Sequence, residues 1–206
     1  MDNNKLKAII KETILNYLAN PTITVGVSNR HLHLSQSDQK LLFTEPLTPI
    51  KYLIAGNFAA KQTVTITGNK GQLTNVRILG PSRNKTQVEI SLTETFTLGV
   101  SAPINESGNL TKAATLTITN PLTGVSITRD AGIVALRHIH MSPEFSSLFG
   151  FVNKQWVKVA FDGSRATVFD KVLIRIHKDF TNEMHIDTDE ANSANIKSGD
   201  IGRILL

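Results

Sequence analysis

Two short stretches carry the residues best suited to chemistry: Arg30-His31-Leu32-His33-Leu34-Ser35 and Arg137-His138-Ile139-His140-Met141-Ser142. In both, Arg, His, aliphatic, His, aliphatic and Ser follow in the same order. Four of the six histidines fall in these two copies. On an extended strand, residues i and i+2 face the same side, about 6.7 Å apart. Two imidazoles so placed can converge on one metal ion while Leu32, Leu34, Ile139 and Met141 point into a core. One His-x-His is more often an ordinary polar strand face. Two copies in matching context favour metal ligation.

The elements that must hold these histidines can be read around them. Residues 22–28 form a strand leading into the first copy. Ser35, with Asp38 three residues on, opens a short helix through Leu41-Leu42-Phe43, and Ser142-Pro143-Glu144 repeats the device. Further short strands are expected at 63–67, 73–79, 88–91, 114–119, 156–161, 167–176 and 202–206. Gly68-Asn69-Lys70-Gly71 and Asp162-Gly163 read as hairpin turns. Short, regularly spaced strands argue for small barrels.

The repeat extends beyond the histidines, at an offset of 96 residues. Asn75-Val76-Arg77-Ile78-Leu79 aligns with Lys171-Val172-Leu173-Ile174-Arg175. At the same offset Val88-Glu89-Ile90-Ser91 meets Met184-His185-Ile186-Asp187, and Glu94 meets Glu190. Taken alone, Glu89 would read as an ion-pair partner and His185 as a core histidine. Their shared alignment shifts both toward ligation, giving two sets: His31, His33, Glu89 and His138, His140, His185. Three protein ligands leave a fourth position open, the catalytic pattern for zinc. His177 has no counterpart and reads as surface. Arg83 follows a Gly80-Pro81 turn and precedes Glu89, where its guanidinium could grip phosphate or carboxylate by two bonds. The matching loop, His177-Lys178-Asp179-Phe180, has no arginine.

Composition sets the bounds. The chain has 206 residues, 40% hydrophobic, enough for one large core or two modest ones. A formal charge of +5 is scattered along the chain; it suits an anionic partner such as a phosphorylated ligand, but charge alone reads first as keeping the protein soluble. Cysteine is absent, which excludes disulfides, thiolate ligands and a thiol-linked acyl-enzyme. No apolar run reaches the roughly 20 residues of a membrane span. At the start, Leu6, Ile9, Ile10, Ile14, Tyr17 and Leu18 recur at helical spacing among charged residues. Two readings of this amphipathic helix stay open: a helix packed on its own domain, or a docking peptide for another protein.

Several motifs together resemble the PduL-type phosphotransacylase family, the phosphate propanoyltransferases. They are Gly26-Val27-Ser28-Asn29-Arg30-His31-Leu32-His33-Leu34-Ser35, Leu79-Gly80-Pro81-Ser82-Arg83, Thr86-Gln87-Val88-Glu89-Ile90-Ser91, the second His-x-His block, and Glu183-Met184-His185-Ile186-Asp187-Thr188-Asp189-Glu190-Ala191-Asn192. They run in order from about Pro21 to the C-terminus. The resemblance implies a mainly β fold: two small β-barrels from an internal duplication, capped by short helices and preceded by the amphipathic helix. It places a di-zinc site between the barrels. It also implies that the first strand joins the C-terminal barrel, giving residues 1–20 as helix, 21–29 plus 137–206 as one barrel, and 30–136 as an inserted one.

By the same resemblance, the six residues named above are the ligands of two zinc ions and Arg83 binds phosphate. Val27, Ser28, Asn29, Lys70, Arg77 and Asn192 fall where the family contacts coenzyme A. The implied reaction interconverts acyl-CoA plus phosphate with acyl phosphate plus coenzyme A, by direct attack of phosphate on the thioester. Backbone N–H groups of the Gly26–Asn29 turn are candidates for stabilising the oxyanion. The implied setting is a cytoplasmic homo-oligomer with no membrane or nucleic-acid partner, housed in a bacterial microcompartment when its N-terminal helix docks on a shell protein. One departure is Asn153-Lys154-Gln155, where relatives carry a Gly-Asp turn such as Ser198-Gly199-Asp200. A di-zinc hydrolase and a non-catalytic zinc-stabilised binding module are the competing classes. A cupin is disfavoured, because no Glu follows the first His-x-His within a few residues.

Overall fold

The computed structural model describes residues 3–53 and 56–205. Helix α1 (Asn3–Ala19) precedes strands β1 (Thr22–Ser28) and β2 (His31–His33) and helix α2 (Gln36–Leu42). Strands β3 (Pro49–Tyr52), β4 (Phe58–Thr67), β5 (Gln72–Gly80) and β6 (Gln87–Ile90) lead to helix α3 (Leu92–Leu98). Next come β7 (Ile104–Asn105), β8 (Ala114–Thr119), β9 (Ser126–Ala135), β10 (His138–Met141) and helix α4 (Pro143–Phe149). The chain ends with β11 (Trp156–Phe161), β12 (Thr167–Ile176), β13 (Glu183–Asp187), helix α5 (Thr188–Ala194) and β14 (Ile201–Leu205).

The chain divides into two compact units. Met1–Val27, Arg137–Ile186 and Glu190–Leu206 form the first; Ser28–Leu136 and Asp187–Asp189 form the second. In the first, six strands close a barrel in the order β1-β13-β10-β12-β11-β14. In the second, β4-β5-β2-β6-β9 run side by side, and β8 closes the ring by pairing with both β4 and β9. Strands β3 and β7 extend this sheet beyond the ring. The fold is therefore mainly β with two six-stranded barrels.

The two rings share one plan. Strand β2 runs parallel to β5 and antiparallel to β6, while β10 runs parallel to β12 and antiparallel to β13. Each His-x-His strand is thus held on both edges, which fixes its register. Alternation does the rest: Leu32 and Ile139 are fully buried, each at the heart of its own apolar core. Strand β1 leads into β2 yet pairs in the first barrel, and β9 leads into β10 yet pairs in the second.

Strand β9 was not expected from the sequence. Its first half alternates between exposed and half-buried, but Ala131–Val134 is buried throughout, where its pairing passes from β8 to β6. Asp130 and Gly132 break the periodic signal. Gly132 is required by space: a Cβ there would lie 2.7 Å from Leu116 Cδ1.

Helix α2 is anchored more firmly than its capping motif alone suggests. Ser35 Oγ accepts from Asp38 N–H at 3.0 Å, as an N-cap should. The Asp38 carboxylate does not take the Ser35 backbone N–H, which donates to the Thr86 hydroxyl at 2.9 Å. Instead buried Asp38 accepts from Thr86 Oγ1 at 2.5 Å and from Arg129 Nη2 at 2.6 Å, tying α2 to β9. Burial alone would raise its pKa, but these bonds and the Arg129 charge outweigh it and hold it low.

Candidate functional site

The pairing registers decide which side chains meet. In the second unit His31 lies opposite Glu89 and His33 opposite Gln87. In the first, His138 lies opposite His185 and His140 opposite Glu183. Two clusters result, His31 with His33 and Glu89, and His138 with His140 and His185. Within each, one ligand-type atom per residue lies within 4.8 Å of the others.

The spacing suits a tetrahedral ion. Zinc–ligand bonds of about 2.0–2.1 Å put neighbouring ligand atoms about 3.3–3.4 Å apart. His138 Nε2 and His140 Nε2 are 3.2 Å apart, and His31 Nε2 and Glu89 Oε2 are 3.5 Å apart. His31 Nδ1 faces the Asn29 carbonyl at 2.8 Å and His33 Nδ1 the Leu79 carbonyl at 3.1 Å. Each Nδ1–H can donate there, leaving the Nε2 lone pair free for a metal, as outer-shell contacts commonly do. In the other cluster, buried His140 Nδ1 has no hydrogen-bond partner.

Electrostatics agree with that use. His33 is pushed down to about 3, first by burial and then by Arg83 and His31, against opposing pulls from Glu89 and the Leu79 carbonyl. His140 is pushed down to about 2, by burial and then by His138, His185 and Arg175. Both are neutral imidazoles at physiological pH, the ligand form. The Phe180 ring stacks on His140 at 4.0 Å, and the Arg175 guanidinium lies over the Phe180 ring, 5.9 Å from its centroid.

Arg83 is fixed by its backbone. Its N–H donates to the Leu34 carbonyl at 2.8 Å, and its carbonyl accepts from Gln36 N–H at 3.3 Å. Its guanidinium reaches Ser107 Oγ at 3.3 Å, and Ser107 Oγ donates to Glu89 Oε1 at 2.9 Å. Gln87 Nε2 donates to the same Glu89 oxygen at 2.6 Å. One hydroxyl thus links the arginine to the carboxylate.

The other singled-out residues divide. Arg77 pairs in register with His31 and donates to the Ala60 and Lys61 carbonyls. Ser28 and Asn29 line a small pocket with Arg30, His31 and Glu89. Lys70 sits in the β4–β5 turn, roughly 20 Å along the strand from Arg77, so only an extended ligand could meet both. Val27 and Asn192 belong to the first unit, and Asn192 is exposed on α5. Val27 corrects one expectation: its N–H already donates to Ser198 Oγ at 3.0 Å, so it is not a spare oxyanion donor.

Residues 24–197 match the family model described as phosphate propanoyltransferase. The chain belongs to the phosphate propanoyltransferase family. A phosphate propanoyltransferase of Thermotoga maritima is 49% identical over 189 residues, covering 90% of each chain. One from Lachnoclostridium phytofermentans is 45% identical over the full length of both. One from Salmonella typhimurium is 44% identical, covering 94% of this chain and 93% of that one.

Sequence reasoning passed over Gln87, Ser107 and Phe180 in this family member. Strand alternation could have found Gln87, two residues before Glu89 on the same face. Ser107 comes from a separate loop and carried no signal. The departing turn is structurally sound. Lys154 takes φ +69° where Gly199 takes +96°. Gln155 Oε1 accepts from Val152 N–H at 2.9 Å, just as Asp200 Oδ2 accepts from Lys197 N–H at 2.8 Å.

Proposed function

We propose that the chain is a phosphate acyltransferase interconverting short-chain acyl-CoA, propanoyl- or acetyl-CoA, plus phosphate with acyl phosphate plus coenzyme A. The observation that carries this is Arg83, held beside His33 and one Ser107 hydroxyl from Glu89, in a member of this family. His31, His33 and Glu89 would hold one zinc ion; His138, His140 and His185 would hold another. Bound zinc would supply positive charge to neutralise and orient phosphate. Arg83 grips two phosphate oxygens and Ser107 keeps its guanidinium aimed. A phosphate oxygen then forms a bond to the thioester carbonyl carbon, the C–S bond breaks, and the phosphate proton ends on the coenzyme A sulfur. Ser28, Asn29, Lys70 and Arg77, with Val27 and Asn192, would contact coenzyme A.

Acetyl-, propanoyl- and butanoyl-CoA supplied with phosphate should yield acyl phosphate and free coenzyme A in equal amounts. Free acid in place of acyl phosphate would make the protein a hydrolase. Metal uptake without thioester turnover would make it a binding module.

Helix α1 supports a docking role for the N-terminus. Ile9, Ile10, Ile14 and Leu15 are 45–57% exposed, while the Tyr17 ring meets Phe149 at 5.5 Å. Such exposed apolar side chains would bind a partner of matching apolar character, here a microcompartment shell protein. No helix among the described residues is long and apolar enough to cross a membrane. Removing residues 1–20 should spare turnover and zinc content but abolish association with a shell. Loss of metal or unfolding would return the helix to the catalytic fold.

A further inference from the structure

The residue two positions before each cluster's third member faces the same side of its strand. In the second unit that pair is Gln87 and Glu89; in the first it is Glu183 and His185. The repeat aligns Gln87 with Glu183 and Glu89 with His185, yet both identities have changed. Where the third member is a carboxylate, its neighbour is an amide that donates to it at 2.6 Å. Where the third member is an imidazole, its neighbour is a carboxylate, with Glu183 Oε2 2.9 Å from His185 Nε2. An acceptor has been matched with a donor, and a donor with an acceptor. Counting that neighbour, each set holds one carboxylate.

We propose that Glu183 is a positioning residue whose carboxylate holds the His185 ring through Nε2–H, leaving Nδ1 to face the cluster. This rests on the reading of that cluster as a zinc site. The mutually close set contains three histidines and not Glu183, so the carboxylate acts on the ring rather than as a fourth ligand. His185 Nε2 is buried and lies 2.9 Å from Glu183 Oε2. Outer-shell carboxylates of this kind fix tautomer and orientation in metal-binding histidines.

Gly26 supplies independent support. A Cβ built there would lie 3.0 Å from Glu183 Cδ and 3.1 and 3.3 Å from its carboxylate oxygens. Gly26 has no positive φ to explain it. The Glu183 carboxylate sits against the bare Gly26 backbone, and a methyl group there would push it back by a few tenths of an ångström.

The test uses the full chain loaded with zinc, in wild-type, Glu183→Gln and Gly26→Ala forms. Chelator competition reads the affinity of each site, and long-range proton–nitrogen correlation of the histidine rings reads the His185 tautomer. Each variant should weaken one zinc site roughly 10- to 100-fold, leave the other unchanged, and mix the His185 tautomers. Gly26→Ala keeps every polar group, so its agreement with Glu183→Gln excludes a simple loss of charge. Two wild-type affinities and an unchanged His185 tautomer in both variants would overturn the proposal. A wild-type chain that takes up no zinc would overturn the metal reading and this inference with it.

Discussion

Arg30 Nη1 lies 2.8 Å from Glu94 Oε1, and the duplication repeats the pair as Arg137 Nη1 with Glu190 Oε1 at 2.7 Å. Each arginine immediately precedes a His-x-His strand. Each glutamate lies in the first turn of the helix after the strand carrying the cluster's third residue. The ion pair therefore pins the two strands' flanks together beside each cluster. Glu94 also closes a capping box, its Oε2 accepting from Ser91 N–H at 2.9 Å.

These two roles separate by substitution. Glu94→Gln keeps an acceptor for the cap and loses the charge; with Arg30 44% exposed, the loss should be about 0.5 kcal/mol. Glu94→Ala loses both and should cost about 1–2 kcal/mol. Urea unfolding of the two variants resolves them. Equal losses would mean that the cap contributes nothing.

Backbone conformation yields a second prediction. Lys171 has φ +51° and its repeat partner Asn75 has +56°. A left-handed conformation costs a Cβ-bearing residue roughly 1–2 kcal/mol, and Asn tolerates it best. Lys171→Asn should stabilise the protein by about 0.5–1 kcal/mol, and Lys154→Gly by less, since glycine also gains unfolded-state entropy. Thermal melts should show both midpoints rising, and the double variant should be close to additive.

The sequence made the clusters legible because strand alternation and the internal repeat are both countable patterns. The same logic found barrels, caps and hairpin turns. It missed β9, whose burial switches from one face to both as its neighbours change. It also missed Ser107, which reaches Glu89 from a loop 18 residues away in sequence. Asp38 looked like half of a capping box, yet it serves Arg129 on a strand 91 residues later. Such partners are set by tertiary packing, which no spacing rule encodes.

Acid should expose the buried imidazoles. His33 and His140 have folded pKa values far below the ordinary 6.5, so below that value the unfolded chain binds more protons. Their stabilising contribution is complete above about pH 6.5 and is lost as pH falls toward the folded values. Metal-free protein should therefore lose stability from pH 6.5 to 5, by at most about 1.4 kcal/mol per pH unit per histidine. His33→Ala and His140→Ala should each flatten that slope and remove about one zinc per chain by elemental analysis. A slope unchanged in both variants would place the titration elsewhere.

Arg83→Lys tests the phosphate assignment most directly. Lysine keeps the charge near His33 but loses the planar fork that grips two oxygens, and its ammonium meets Ser107 differently. If Arg83 binds phosphate in the ground state, KM for phosphate should rise roughly 10-fold or more, the worth of one charge-assisted bond, while KM for acyl-CoA changes little. If the guanidinium acts mainly as attack proceeds, kcat falls with little change in either KM. Both results keep Arg83 at the reacting phosphate. Equal rises in both KM values at constant kcat would instead make it a general support for the loop, and would remove it from the site.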